Sequence, residues 1–177
     1  MSSSLDPIQI RQCVEADAPA FRELRLEALR SHPEAFGADY ATNEQFPPSF
    51  WTGRLSQNIN SDQQAIFFAV ADGALIGMTG VRRGESPKTQ HGAMIWGVYV
   101  RAEWRGHRLA ERLIDACVSW AREHEVRLVK LAVVTTNIAA IRSYARSGFT
   151  VYGVEPQAIG LADRLYDELL MVKHLAD

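Results

Sequence analysis

The segment from Gln64 to Arg83 restricts the fold more than any other, because it predicts two strands joined by a tight turn. The runs QAIFFAVA and ALIGMTGVRR are rich in β-branched and aromatic residues, and the Asp72-Gly73 pair between them is typical of a two-residue hairpin. After a polar loop, AMIWGVYV (Ala93–Val100) predicts a third strand. Three consecutive strands argue against a doubly wound nucleotide-binding fold, in which strands and helices alternate throughout.

The rest of the chain predicts four more strands and four helices around this meander. In order, they are a strand at Ile8–Val14, a helix capped by Asp17, an irregular stretch at His32–Pro48, a short helix in PSFWTGRLSQNI, a helix at Leu109–Glu123, a buried strand at Arg127–Thr135, a helix from Asn137 to Gly148, and final strands in FTVYGVE and YDELLMVKHL. We therefore expect an α/β (α+β) fold, with a mixed, mostly antiparallel seven-stranded sheet and helices on both faces.

Composition limits the kind of protein this is. A chain of 177 residues, 47% hydrophobic and 23% charged, suits one domain spanning residues 1–177. Its net charge of -2 offers no general basic surface, so we expect neither a nucleic-acid nor a membrane partner. Cys13 and Cys117 lack metal-ligand spacing and predict buried free thiols. The polar start Met1–Asp6 lacks the apolar core of a signal peptide, and we expect a cytoplasmic protein without a metal.

A basic turn, RGHRLA (Arg105–Ala110), follows the third strand of the meander and leads into a helix. Between Arg101 and Arg112 there are four arginines and one histidine against two glutamates. Cations are unfavourable at a helix N-terminus unless an anion is bound there, because the free N–H groups and the helix dipole are already positive. The turn therefore predicts an anion site, with a solvated basic surface as the alternative.

A second helix start, TTNIAAIRSYARSGF, carries polar groups at helical spacing. Asn137 either caps the helix or offers its amide to a ligand. Tyr144 lies two turns further along the same helical face, where it either packs as an ordinary aromatic or presents its hydroxyl. Small alanines near the helix start leave room for a ligand beside it.

Together the two segments resemble the Gcn5-related N-acetyltransferase (GNAT) family. The family's pyrophosphate loop, Q/R-x-x-G-x-G/A, is matched by the turn that begins at Arg105, and its later motif is matched by Asn137, Ala140, Tyr144 and Gly148-Phe149. The resemblance implies acetyl-CoA as co-substrate, held by a core of about residues 93–155. The positions it assigns to the cofactor are Val98, Tyr99, Val100, Arg105, Gly106, His107, Arg108, Leu109, Ala110, Glu111, Asn137, Ala140 and Tyr144.

The resemblance also implies direct transfer of an acetyl group to an amine. Backbone N–H groups at Val98–Val100 would polarise the thioester carbonyl, and Tyr144 would be the catalytic acid for the departing thiolate. Neither LAVVTT nor MIWGVYV carries a carboxylate that would serve as general base. A water relay or an already neutral amine explains this equally well, and the alternative acids are Glu34, Asp39, Glu44, Glu85, Asp167 and Glu168.

Arg108 departs from the family pattern, which prefers glycine where the backbone N–H meets a phosphate. Because helical φ and ψ do not require glycine, we expect Arg108 to cost little if its Cβ points away from the phosphate. Its guanidinium would then donate a charge-assisted hydrogen bond. The hypothesis is that charge replaces close approach; a weaker or altered cofactor preference is the alternative.

The resemblance also implies that acceptor specificity comes from about residues 17–60 and 155–168, where Phe36, Tyr40 and Glu34 are the expected substrate-binding residues. Aromatic and acidic residues in these segments suit a primary amine of a small cationic molecule, and they suit ordinary loop packing equally well. A peptide or protein N-terminus is an alternative acceptor, and a non-catalytic CoA-binding module is an alternative function. The oligomeric state stays open, with a homodimer as one option.

Overall fold

The computed structural model describes residues 8–175 and contains seven strands and five α-helices in that range. The polar start Met1–Asp6 lies outside the described residues. In chain order the elements are β1 (Gln9–Gln12), α1 (Ala18–Ser31), α2 (Tyr40–Glu44), α3 (Pro48–Ser56), β2 (Gln64–Ala71), β3 (Ala74–Arg83), β4 (Gly92–Val100), α4 (Leu109–Glu123), β5 (Leu128–Val134), α5 (Ile138–Arg146), β6 (Thr150–Leu161) and β7 (Arg164–His174).

The strands form one mixed sheet in the order β1-β2-β3-β4-β5-β7-β6. Every neighbouring pair is antiparallel except β4 and β5, which run parallel. The β2–β3 hairpin turns at Asp72 and Gly73, whose φ angles of 49° and 75° are the positive values that a type I′ turn needs. The predicted fold class, a mostly antiparallel seven-stranded sheet, is confirmed.

Helices cover both faces of the sheet and give it two cores. On one face, α1 and α3 bury an aromatic cluster, in which Phe21 meets Trp51 and Phe68 with ring centroids 5.5 Å apart in each case. On the other face, α4 packs Ile114, Cys117 and Ala121 against the sheet. The alternation of β2, β3 and β4 residues between the two cores follows from the two-residue period of a strand.

The sheet opens between its two central strands, and this opening positions the candidate site. Parallel pairing of β4 with β5 covers only Gly92, Ala93 and Met94 against residues 128–130. Beyond them β4 bends away at an irregularity opposite Thr79, where Gly97 has a φ of +67°. A bulge of this kind bends a strand and breaks its ladder, so the last residues of β4 keep a free edge.

Two segments differ from the sequence-based prediction. The stretch at His32–Pro48, predicted to be irregular, contains a 3-10 turn at Pro33–Ala35 and the helix α2, whose Thr42 N–H donates to the Asp39 carboxylate at 2.8 Å. The final two strands, predicted in FTVYGVE and YDELLMVKHL, extend further than predicted, so the segment at 155–168 is mostly the β6–β7 hairpin. Pro156 lies within β6, which is an edge strand with an irregular register near this residue, where proline is tolerated.

Both cysteines are buried and free, as predicted. Burial raises the pKa of Cys13 to about 11 and that of Cys117 to about 12, so both thiols stay protonated. Among the helices of residues 8–175, none is long and apolar enough to cross a membrane.

Candidate functional site

A cleft of about 540 Å³ opens where β4 and β5 separate, between the N-terminal ends of α4 and α5. It brings together twelve of the thirteen residues that the resemblance assigned to the cofactor. The exception is His107, which does not line the cleft. Its ring Nδ1 lies 3.2 Å from the Trp104 carbonyl oxygen. The other lining residues, which sequence reasoning did not assign to the site, include His32, Trp104, Thr136, Ala139, Ser143 and Arg146.

The start of α4 forms the basic end of this cleft. Gly106 and Arg108 both have left-handed backbones, with φ of 86° and 54°. No side chain of residues 8–175 caps the helix at Arg108, so within that range the first-turn N–H groups at Leu109 and Ala110 remain available. A turn with left-handed residues followed by an uncapped helix is an anion-binding arrangement.

Arg108 does not have the helical backbone that the sequence analysis expected. Its φ of 54° and ψ of 30° place it in the left-handed region, and that expectation was wrong. A residue with a Cβ is strained in this conformation by about 1–2 kcal/mol, whereas glycine is not. The preference for glycine at this position therefore has a conformational cause in addition to the close approach of a phosphate.

Arg105 also faces the cleft, although its side chain is already engaged. Its Nε donates to the Val100 carbonyl oxygen at 3.3 Å, and its Nη2 lies 2.9 Å from Nε2 of His32. These contacts hold the guanidinium across the end of β4 and over the ring of Tyr99, 6.0 Å from its centroid.

The free edge of β4 supplies backbone donors. Arg101 donates its N–H to the Ile76 carbonyl of β3 at 2.9 Å, which fixes the direction of its peptide group. The N–H groups of successive residues in a strand point to opposite edges. The N–H groups of Val100 and Val98 therefore point toward the gap that β5 leaves. Both residues line the cleft.

The start of α5 forms the opposite wall. The Asn137 side-chain oxygen accepts the Ala140 N–H at 3.1 Å, so Asn137 caps the helix while its amide NH₂ stays available. Tyr144 is 7% exposed and lines the cleft, and none of residues 8–175 forms a hydrogen bond to its hydroxyl. Burial raises the pKa of Tyr144, so the hydroxyl keeps its proton at neutral pH.

An ion pair between Glu111 and Arg146 joins the two helices at the cleft. Nε and Nη2 of Arg146 donate to one Glu111 oxygen at 2.8 and 2.6 Å. Burial raises the pKa of Glu111, but the hydrogen bond and charge of Arg146, together with hydrogen bonds from Ser143 and the backbone, outweigh it, and the net pKa is lowered. Arg146 carries no motif signal, because its partner is 35 positions away along the chain.

The predicted substrate-binding residues do not all reach the cleft. Glu34 and Phe36 line it, whereas Tyr40 does not. The Tyr40 hydroxyl donates to Glu44 at 2.8 Å and accepts from Arg30, which holds the ring on the outer side of α1. Asp39 caps α2, so the acidic cluster suggested by the sequence is divided between surface contacts and the cleft.

Comparison with known proteins assigns this arrangement to one family. The family model described as the acetyltransferase (GNAT) family matches residues 20–149, and the chain belongs to that family. Among residues 8–175 there is no group of three or more His, Cys, Asp or Glu residues placed to hold a metal ion.

Individual relatives are more distant. A mycothiol acetyltransferase of Brachybacterium faecium is 28% identical over 141 residues, which are 80% of this chain and 40% of that protein, so the chain spans well under half of that relative's length. The GNAT acetyltransferase structure from Streptococcus pneumoniae has a TM-score of 0.86 at 20% identity, covering 96% of this chain and all of that one. The structure of yncA, a putative acetyltransferase from Salmonella typhimurium with its cofactor acetyl-CoA, has a TM-score of 0.83 at 19% identity, covering 97% and 96%.

Proposed function

We propose that the protein transfers an acetyl group from acetyl-CoA to a primary amine of a small molecule. The observation that carries the proposal is the composition of the cleft, which combines an uncapped, basic helix start with the free edge of β4. The helix start provides N–H donors and two arginines for a pyrophosphate. The free edge offers backbone donors and acceptors to an extended amide chain, as a pairing strand would.

Tyr144 and the β4 backbone would carry the chemistry. Acetyl-CoA, when bound, supplies the acetyl group as an activated thioester. The N–H groups of Val98 and Val100 donate hydrogen bonds toward the gap, where they stabilise negative charge on an acyl oxygen. Tyr144 holds a proton at neutral pH and donates it to the leaving sulfur.

Glu34 is the candidate general base for the acceptor amine. Two carboxylates, Glu34 and Glu111, line the cleft among the described residues. Glu111 is held in its ion pair with Arg146, which leaves Glu34 able to accept a proton directly or through one water. Glu34 lies in the 3-10 turn on the acceptor side, within 3.9 Å of the His32 ring.

Release of the CoA thiol tests this function. Acetyl-CoA is mixed with the protein and a panel of primary amines, and thiol release and acetylated product are followed together. We expect thiol release that depends on the amine and matches the product one to one. Binding of acetyl-CoA without transfer to any primary amine would contradict the enzymatic role, and acetylation of peptide N-termini in preference to small amines would contradict the acceptor class.

A further inference from the structure

A second cavity, of about 700 Å³, lies between α3 and strands β2–β4, on the face of the sheet opposite α4. Its lining contains two arginines, Arg54 and Arg82, together with three side-chain amides, a serine and the rings of Phe50 and Trp96. No carboxylate is among the described residues that line it. The cavity therefore offers hydrogen-bond donors, positive charge and aromatic faces.

Two guanidinium groups converge on Trp96. The Cζ atom of Arg54 lies 4.8 Å from the Trp96 ring centroid, and that of Arg25 lies 6.0 Å from it. Gly80 of β3 makes room for the indole, because a Cβ at this position would lie 2.2 Å from ring carbons of Trp96. The ring is thus seated against the sheet, with Arg54 on the cavity side and Arg25 close by but outside the cavity lining.

Neither Arg25 nor Arg54 has a carboxylate within ion-pair distance among residues 8–175. Arg25 is only 8% exposed, and its buried Nη1 has no hydrogen-bond partner in that part of the chain. Burial, followed by the charge of Arg54, lowers the pKa of Arg25 to about 10. Buried cations are normally paired, because an uncompensated buried charge is strongly unfavourable. Within residues 8–175, no carboxylate pairs with the charges of Arg25 and Arg54.

The cluster of Arg25, Arg54 and Trp96 is close to the cleft between α4 and α5. On β4, Trp96 lines the second cavity and Val98 lines the cleft, about 7 Å further along the strand at the usual rise per residue. Arg25 lies between the two spaces, with its Cζ 5.2 Å from the ring centroid of Phe36, which lines the cleft. One small molecule spanning this distance would reach both.

We propose that the cavity beside Trp96 binds an anionic group, a carboxylate or a phosphate, of the acceptor amine. Arg54 contacts the anion and Arg25 adds charge from beneath, while the amine faces Glu34 in the cleft. The acceptor is then an amino acid-like or phosphorylated amine and not a purely cationic one. That the bound anion belongs to the acceptor rests on the proposed function, whereas anion binding in this cavity does not depend on it.

Binding of anions without acetyl-CoA tests the site alone. Melting temperature is measured with phenylacetate, phenyl phosphate and uncharged phenylacetamide, for the wild-type protein, Arg54→Met and Arg122→Met. Arg122 is an exposed arginine on α4, across the sheet, and is the matched control. We expect an anion at tenfold excess over its dissociation constant to raise the melting temperature by about 3 °C in the wild type and control only.

The two anions distinguish a carboxylate subsite from a phosphate subsite by which of them stabilises the protein. Equal effects of the anions and phenylacetamide, no effect of either anion, or an effect retained in Arg54→Met would each overturn the proposal. Arg54→Lys, which keeps the charge, is expected to recover part of the shift and separates loss of charge from misfolding.

Kinetics then test the link to the acceptor. Matched pairs long enough to span the two spaces, ε-aminocaproate with its uncharged amide and aminohexyl phosphate with aminohexanol, are compared by kcat/KM. We expect at least one anionic member to exceed its partner tenfold or more, and Arg54→Met to remove the advantage through KM at unchanged acetyl-CoA affinity. An equal loss of kcat/KM for the anionic and the uncharged member of a pair would show that Arg54 has a merely structural role. Anion binding without any acetyl transfer would refute the proposed function and leave the anion site standing.

Discussion

Arg108→Gly is expected to stabilise the protein while weakening its hold on acetyl-CoA. The left-handed backbone of Arg108 costs about 1–2 kcal/mol in a residue with a Cβ. Glycine removes this strain but adds freedom to the unfolded chain, which offsets about 0.5–1 kcal/mol. The net gain is about 0.5–1 kcal/mol, or about 2–3 °C in melting temperature for a chain of this size.

Two further variants separate strain from charge at position 108. Arg108→Ala removes the guanidinium and keeps the strained backbone, so its melting temperature should stay within about 1 °C of wild type, since alanine gains nothing in the left-handed region. Arg108→Lys keeps both the positive charge and the strained backbone. Glycine and alanine should each weaken acetyl-CoA binding about threefold to fivefold at low salt, because each loses one exposed cation beside the pyrophosphate.

The assay is thermal and urea unfolding of the four proteins, with titration of acetyl-CoA at two salt concentrations. Equal melting temperatures for the glycine and alanine variants would refute the strain, because only glycine relieves it. Wild-type affinity in both variants would refute the role of the Arg108 charge.

Tyr144→Phe should lower kcat by about 100-fold or more, with acetyl-CoA affinity within twofold in calorimetry, because the hydroxyl acts as acid; unchanged turnover would exclude that role. Asp17→Asn should cost about 2 kcal/mol in urea unfolding at pH 7, since Asp17 accepts from Arg11 at 2.7 and 2.8 Å. Burial raises the Asp17 pKa, but the hydrogen bonds from Arg11 and the Val14 N–H, together with the charge of Arg11, outweigh it, and the net pKa is lowered. The difference from wild type should therefore shrink as pH falls below about 4 and disappear below the lowered pKa of folded Asp17; a constant difference would contradict this. Gly80→Ala should cost about 1–3 kcal/mol and shift tryptophan emission as the Trp96 ring moves; an unchanged spectrum would contradict the close contact.

Elements with a strong local pattern were predictable from the sequence. The β2–β3 hairpin and α4 begin and end where the turn chemistry and the helical spacing placed them. The last two strands were predicted, but not their full length: β6 continues past Pro156, and only the sheet order shows that β6 is an edge strand, where proline is tolerated.

The site was predictable where residues follow one another on the chain. The loop before α4 and the start of α5 were found as motifs, and with the end of β4 they supply thirteen assigned positions, of which twelve line one cleft. The pairing of Glu111 with Arg146 was not predictable, because it depends on how two helices pack. The same holds for Arg25 and Arg54, because only the folded structure shows that no carboxylate of the described residues pairs with either. The backbone of Arg108 was misjudged because its position just before the helix was taken for helical.

Titration calorimetry of the protein with acetyl-CoA, with CoA and NAD as comparisons, tests the proposed cleft most directly. The predicted result is one site per chain that binds acetyl-CoA and CoA but not NAD, with an affinity that falls as salt rises, because arginines and the uncapped start of α4 hold the pyrophosphate. No heat of binding with either CoA compound, or equal binding of NAD, would contradict the assignment of this cleft to the acetyl donor.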